Sequence, residues 1–391
     1  MALLTSSPAT VSVTSFPYPL PNSAGQVVFI GTNFPRDVRP PTHSVYNWEY
    51  ACFGYYGGGA FVQDYSAGGA WAVAGSGGHG APPNIGALIF DFADATWKRR
   101  DNSNGVPWTT GEDYPTSTFV GGEFPGTTCP GPAHQYSLQK GISTAQGGGP
   151  RGSYICFAFS AMGDSGNTGA GAHRIDLNTG FWTRASTNSA PPYSVGGQQT
   201  SFYDPVSNRY YVPARAANGV SLLPYLDAND WTWKTINHAS ISTVGYYTAS
   251  GFIDLNRRLF ALWDSNRFIA MDLDNLGAGW TPLNMTGSGP VEYECDWTYY
   301  PPDGCFYHLF STLSSTNILT KLTPPPLGGN KFSGTWVRST VTLSATLQRP
   351  GDWVDPQGGG AKHTNRLIYV PALQRLAWLA GDTTVAIIKP S

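Results

Sequence analysis

The sequence predicts an all-β fold: a six-bladed β-propeller of four-stranded antiparallel blades, with seven blades as the alternative. Three observations predict it. A hairpin signature recurs along the chain. Each copy is followed by a second strand pair that usually carries a tryptophan. The 391 residues also include 47 Gly and 31 Pro, which weaken helix interiors and disfavour long helices.

The hairpin is plainest in SFYDPVSNRYYVPA (201–214). An aromatic run enters Asp-Pro, turns at Ser207-Asn208 and leaves through Arg209 into a second apolar run. The same order returns in FVQDYSAGGAWAVAG (61–75), FIDLNRRLFALWD (252–264), YYPPDGCFYHLFS (299–311) and LIYVPALQRLAWLAG (367–381). A degenerate copy has its second strand in SYICFAFSAMG (153–163) and its first somewhere in 134–146. The paired signal, an apolar strand, a polar turn and then Trp, follows in ALIFDFADATWKR (87–99), HRIDLNTGFWTR (173–184), SLLPYLDANDWTWK (221–234) and RFIAMDLDNLGAGWTPL (267–283). A stretched version spans 317–338.

Four short strands in roughly 50 residues is the scale of a propeller blade. One small twisted sheet cannot bury both faces, whereas a ring of them packs face to face. A Trp in the same place of five units is positioned to wedge between neighbours. The last unit ends at TVAIIKPS (384–391), before any Trp, and so lacks its outermost strand. Borrowing that strand from the other terminus removes an exposed sheet edge, and the apolar segment QVVFIGTNF (26–34) is the candidate. Residues 1–45 are therefore read as an N-terminal arm with the closing strand, and 46–391 as the propeller. Residues 101–133 lack periodicity and are read as an insertion; structureless stretches of that length are usually functional or form interfaces.

Charged residues are only 12 % and the net charge is -2, so no global field attracts nucleic acid or an anionic membrane. Five cysteines, an odd number, do not suggest a disulfide framework, although Cys295 and Cys305 flank one hairpin. The start, MALLTSSPATVSV, has no basic region before an apolar run, so no signal peptide is expected. No apolar run approaches the roughly 20 residues of a membrane-spanning helix. A virion or cytoplasmic location is expected.

The Gly-rich stretches GGGAF (57–61), GGQQTSF (196–202) and GGGAKHT (358–364), with the Asp-turn-Trp outer hairpins, make residues 50–391 resemble the Kelch and galactose-oxidase-like β-propellers. Only some blades carry the double glycine, and the second carries a long insertion. The resemblance implies the fold. For activity it raises a copper radical oxidase, which needs two His and two Tyr, one Tyr being linked to Cys. The residues available are Tyr307, His308, His363, Tyr50 and Cys52, but His308 lies in CFYHLF after the turn, whereas the family's Tyr-His pair precedes it. The residues themselves call for no cofactor and no metal: His79, His134, His173 and His238 are scattered singly.

The natural site is the channel mouth, with Gln198, Tyr246, Glu294 and His363 as ligand-binding candidates. VEYECDW (291–297) alternates three carboxylates, which suits either a cation or acid/base site or a solvated channel strand. Trp48, Trp108 and Tyr114 are aromatic candidates for stacking on a sugar or anchoring a protein. The expected function is a non-catalytic binding or assembly module, of the kind found in bacteriophage tails, fibres or decoration proteins. Its partner is then a protein in a larger assembly or a surface glycan, with homo-oligomerisation open. The alternative is a carbohydrate-active enzyme or galactose-oxidase-like oxidase with Glu294, His363 and His308 as catalytic residues at the channel mouth.

Overall fold

The computed structural model describes residues 16–43, 52, 58–75, 85–108, 123–131, 138–157, 172–188, 200–213, 222–239, 250–264, 267–291, 297–309, 315–348, 366–379 and 385–391. The first strand of the chain, β1 (Gln26–Ile30), belongs to the last blade. Blade I is β2 (Ala60–Val62), β3 (Ala70–Ala74), β4 (Ala87–Asp91) and β5 (Thr96–Arg100). Blade II is β6 (Gln139–Ile142), β7 (Ser153–Cys156), β8 (His173–Asp176) and β9 (Trp182–Arg184). Blade III is β10 (Phe202–Asp204), β11 (Arg209–Tyr211), β12 (Leu222–Asp227) and β13 (Thr232–Asn237). Blade IV is β14 (Gly251–Asp254), β15 (Leu259–Asp264), β16 (Arg267–Asp272) and β17 (Trp280–Pro282). Blade V adds a parallel strand, β18 (Asn284–Gly287), to the outside of β19 (Thr298–Tyr300), β20 (Cys305–Leu309), β21 (Ser315–Thr323) and β22 (Thr335–Gln348). Blade VI is β23 (Leu367–Val370), β24 (Arg375–Trp378) and β25 (Val385–Lys389), closed by β1.

The sheets number six, and β1 lies antiparallel to β25 with Val27 opposite Ile388. The β-propeller and its closing strand are as the sequence predicts; the fifth strand of blade V is not.

Strand alternation builds the ring. In β3, Ala70, Ala72 and Ala74 face blade II, while Trp71 and Val73 face blade VI. Six apolar clusters occupy the six junctions between neighbouring blades. The repeated Trp of each outer strand is buried and points back to the preceding blade: Trp97 to VI, Trp182 to I, Trp233 to II, Trp280 to III and Trp336 to IV. Trp182 Nε1 also donates to Ile85 O of blade I at 2.8 Å. In blade VI the equivalent place on the borrowed strand holds Val27, which packs into the junction with blade V.

The turns explain the sequence repeat. The residue just before each second strand is left-handed, with φ from 50° to 71°: Gly69, Gly152, Asn208, Arg258, Gly304 and Gln374. Short antiparallel links commonly close through such a residue. At the end of the third strand, Asp91 and Asp227 each bind the lysine that follows the Trp. Lys98 Nζ lies 2.6 Å from Asp91 Oδ2, and Lys234 Nζ lies 3.0 Å from Asp227 Oδ2. Hydrogen bonds from Lys234 and Thr232 hold the exposed Asp230 carboxyl down at about 2.

Outer strands end in open edges, which invite pairing with other chains. Here the segment leaving one blade covers the outer strand of the next. Asn33 accepts from Trp97 N (2.7 Å) and donates to Trp97 O (2.9 Å). Asn104 does the same for Trp182 (2.8 and 3.0 Å), and Asn188 for Trp233 (2.7 and 3.1 Å). In blade V this task falls to β18 against β22. In blade VI, Ser344 N donates to Gly25 O (2.8 Å), and Ser344 Oγ accepts from Val27 N (3.0 Å).

Candidate functional site

The first strands touch from blade to blade, β2 with β6, β10 with β14, β14 with β19 and β19 with β23, so they surround the axis of the ring. Antiparallel order then sorts the links onto two faces. Links from first to second and from third to fourth strand share one end, the turn face. Links from second to third strand and from blade to blade share the other, the connection face.

The turn face is economical. Blades III to VI use four-residue turns at 205–208, 255–258, 301–304 and 371–374. The connection face receives the long segments 31–59, 101–138, 185–201, 238–250 and 349–366. Loops held on a rigid scaffold are where binding groups concentrate.

Of the sequence-predicted site residues, Gln198, Tyr246, Glu294, His363, Trp48 and Tyr114 lie outside the described residues. Trp108 and His308 are described. Trp108 is partly buried at the foot of the insertion. Its Nε1 donates to Asp101 Oδ1 at 3.1 Å, and its ring meets His43 edge-on at 5.5 Å.

His308 is fully buried in β20 and stacks on Trp297, with ring centroids 4.8 Å apart. Its neighbour Tyr307 turns to the opposite face, joins the junction with blade VI and donates its hydroxyl to Asp303 Oδ2 at 2.6 Å. Adjacent strand residues point apart, so Tyr307 and His308 do not converge on one metal. Cys305 is a free buried thiol 3.6 Å from Thr323 Oγ1, which removes the pairing with Cys295. Cys295 itself lies outside the described residues. Among the described residues, no group of three or more His, Cys, Asp or Glu is arranged to hold a metal ion.

A polar cluster that sequence reading missed fixes the insertion. Glu123 and Pro130 form a bridge, and Val106, Phe124 and Cys129 enter the junction of blades I and II. The Glu123 carboxylate, 5 % exposed, meets His173 Nε2 at 2.6 Å, and His173 is only 1 % exposed. Arg184 donates to the same carboxylate through Nε (2.7 Å) and Nη2 (2.6 Å). Burial pushes the Glu123 carboxyl up, but the hydrogen bonds from His173 and Arg184 outweigh burial and hold it at about 2. His173 and Arg184 sit opposite each other on β8 and β9, so blade II supplies a preformed clamp for one insertion residue. Fifty residues separate Glu123 from His173, which left no local motif to find.

On the turn face, a cleft of about 610 Å³ opens where the links of blades VI, I and II meet. Phe61, Gln63, Asp64, Thr144, Pro371 and Ala372 line it. These lie at or just beyond the ends of β2, β6 and β23, so the cleft sits beside the ring axis.

No protein-family description matches this chain, and no curated protein matches it in sequence. Solved structures do match. One is the extracellular domain of a hybrid two component system from B. thetaiotaomicron, at 11 % identity and a TM-score of 0.37, covering 84 % of this chain. This chain spans 37 % of that domain's length. Another is YCF48 from Cyanidioschyzon merolae, also at 11 % identity and a TM-score of 0.37, covering 86 % of this chain and 84 % of that one. Likeness at this level carries no functional argument, and the β-propeller rests on the strand order described above. Among the described residues no helix is long and apolar enough to cross a membrane.

Proposed function

We propose that this chain is a non-catalytic β-propeller binding and assembly module that engages its partner through the connection face. The asymmetry between the two faces carries this reading: the first-to-second-strand links of blades III to VI are four-residue turns on the turn face, while most segments from one blade to the next, anchored at strand ends on the connection face, are far longer. The groups most like catalytic acids and bases among the described residues support it from the other side. Glu123 is tied to His173 and Arg184, Asp204 to Arg258, Asp254 to Arg257, and His308 is stacked in the core. These groups are held by ion pairing and packing.

The low charge and the abundance of Gly, Tyr and Trp favour a component of a bacteriophage virion that contacts protein or glycan. The Gly-rich lead-ins favour kinship with the Kelch and galactose-oxidase-like propellers.

A glycan array probed with the purified chain tests the reading, alongside Trp48→Ala and Tyr114→Ala variants. Retention of a glycan by the full chain and its loss in the variants is the expected result. Conversion of the retained glycan to a shortened or oxidised product, abolished by Glu294→Gln, overturns the non-catalytic reading in favour of an enzyme, because a positioned acid or base supplies about 10²–10⁴-fold in rate.

A further inference from the structure

The turn face carries a feature that the scaffold does not need. Its acidic residues are almost all neutralised: Asp91 by Lys98, Asp204 by Arg258, Asp227 by Lys234, Asp272 by Lys331 and Asp303 by Lys321. Asp64 is different. One of its oxygens, Oδ2, accepts from Thr144 N at 2.6 Å, and among the described residues no lysine or arginine pairs with it. The guanidinium of Arg151, in the adjoining link of blade II, lies over the Tyr65 ring at 5.3 Å. Asp64 opens into the cleft beside the axis, where Phe61, Pro371 and Ala372 supply apolar wall and Gln63 a side-chain amide.

The hydroxyls nearby are already committed. Ser66 Oγ donates to Asp91 Oδ1 at 2.6 Å, and Thr144 Oγ1 donates to Gly149 O at 2.7 Å. Beside the Gln63 amide, the unused hydrogen-bonding capacity is therefore an acceptor with negative charge, set against apolar surface. That combination fits a cation on an aliphatic stem, whose methylenes lie on the wall while the charged head reaches the carboxylate.

Other turns of the same face also carry exposed apolar residues. Val206 of blade III is 74 % exposed and Leu255 of blade IV is 42 % exposed, both at turn tips. Pro301 and Pro302 of blade V are exposed beside them in ring order.

We propose that the turn face is a second docking surface, for a protein partner that inserts one arginine or lysine side chain into the Asp64 cleft and covers Val206 and Leu255 with apolar residues. Charge complementarity selects this occupant. A second copy of the turn face would bring its own Asp64 and an array of already neutralised cations. The surface lies opposite the connection face, so the module bridges two partners. This proposal does not depend on what the connection face binds.

The test is an amide NMR titration of the ¹⁵N-labelled full chain with Nα-acetyl-arginine amide, using the uncharged Nα-acetyl-citrulline amide as control. Saturable shifts of the Gly68, Gly69 and Thr144 amides, with a dissociation constant on the order of millimolar, are expected for arginine and not for citrulline. Asp64→Asn keeps an acceptor for Thr144 N and removes the charge, and should weaken binding about tenfold or more. Ala372→Trp, which fills the cleft from its rim, should abolish the shifts and serves if Asp64→Asn does not fold. Equal responses to arginine and citrulline, shifts elsewhere on the ring, or no saturation would overturn the proposal. None of these outcomes bears on glycan retention by the connection face.

Discussion

The two faces of this propeller are built from the same repeat and differ in what the repeat leaves free. On the turn face, each first-to-second-strand link closes through a left-handed residue, and most carboxylates have a cation. On the connection face, links vary in length from blade to blade, and even the described part of the insertion needs a dedicated clamp at Glu123 to hold it. A repeat protein can keep one face nearly constant for architecture and vary the other for recognition, because each blade contributes both ends of the same strands. Asp64, a carboxylate without a cation among the described residues, faces a cleft on the constant face and is informative for the same reason.

The comparison is broken most severely by removing the seam. Deleting residues 1–40 takes β1 from blade VI and exposes the β25 edge, and should lower the melting temperature by about 10 °C or more. A truncated chain that melts with the full one would mean that closure by β1 contributes nothing. Next in size is Trp182→Ala, which empties the wedge between blades I and II and should cost about 3–5 kcal/mol in denaturant unfolding.

Smaller again is Glu123→Gln, expected to cost about 2 kcal/mol through the lost charge-assisted bonds. Its pH dependence sharpens the comparison. The folded carboxyl sits at about 2 against an ordinary 4.5, so its contribution is complete above pH 4.5 and is lost as pH falls toward 2. The stability gap between wild type and variant should close across that window, and a gap that persists at pH 2 would assign the effect to packing. Asn188→Ala removes the pair of bonds at the edge of β13 and should cost about 1 kcal/mol. Trp48→Ala and Tyr114→Ala complete the set: they should abolish partner retention and leave melting unchanged.

Much of the fold was legible because the turns speak locally. Asp204, Asn208, Asp254 and Gly304 mark the same turn in different blades, and the wedge tryptophans recur beside them. The edge pairing by Asn33, Asn104 and Asn188 was not legible. A side-chain amide that bonds a distant backbone leaves no periodicity, and its partner lies 45 to 78 residues away. β18 escaped for a similar reason, since NMTG has neither alternation nor a turn to announce a strand. The site was less legible than the fold. His308 looked like a ligand from its neighbour Tyr307, yet strand alternation sends the two rings into different junctions. Asp64 looked like one more turn aspartate, and only the arrangement of its surroundings sets it apart.

The seam inside blade VI has a consequence in time. Within the ring, β1 leaves the ribosome ahead of the strands of blades I to V, and its partner β25 follows them all. At typical elongation rates the wait between Gln26 and Lys389 is roughly 20 to 70 s. Blades I to V can pair their own strands during that interval, while QVVFI has no native partner. The nascent chain therefore carries an apolar, unpaired strand until the last blade is made, and a trigger for early misassembly or chaperone capture is written into the same five residues that finally lock the ring.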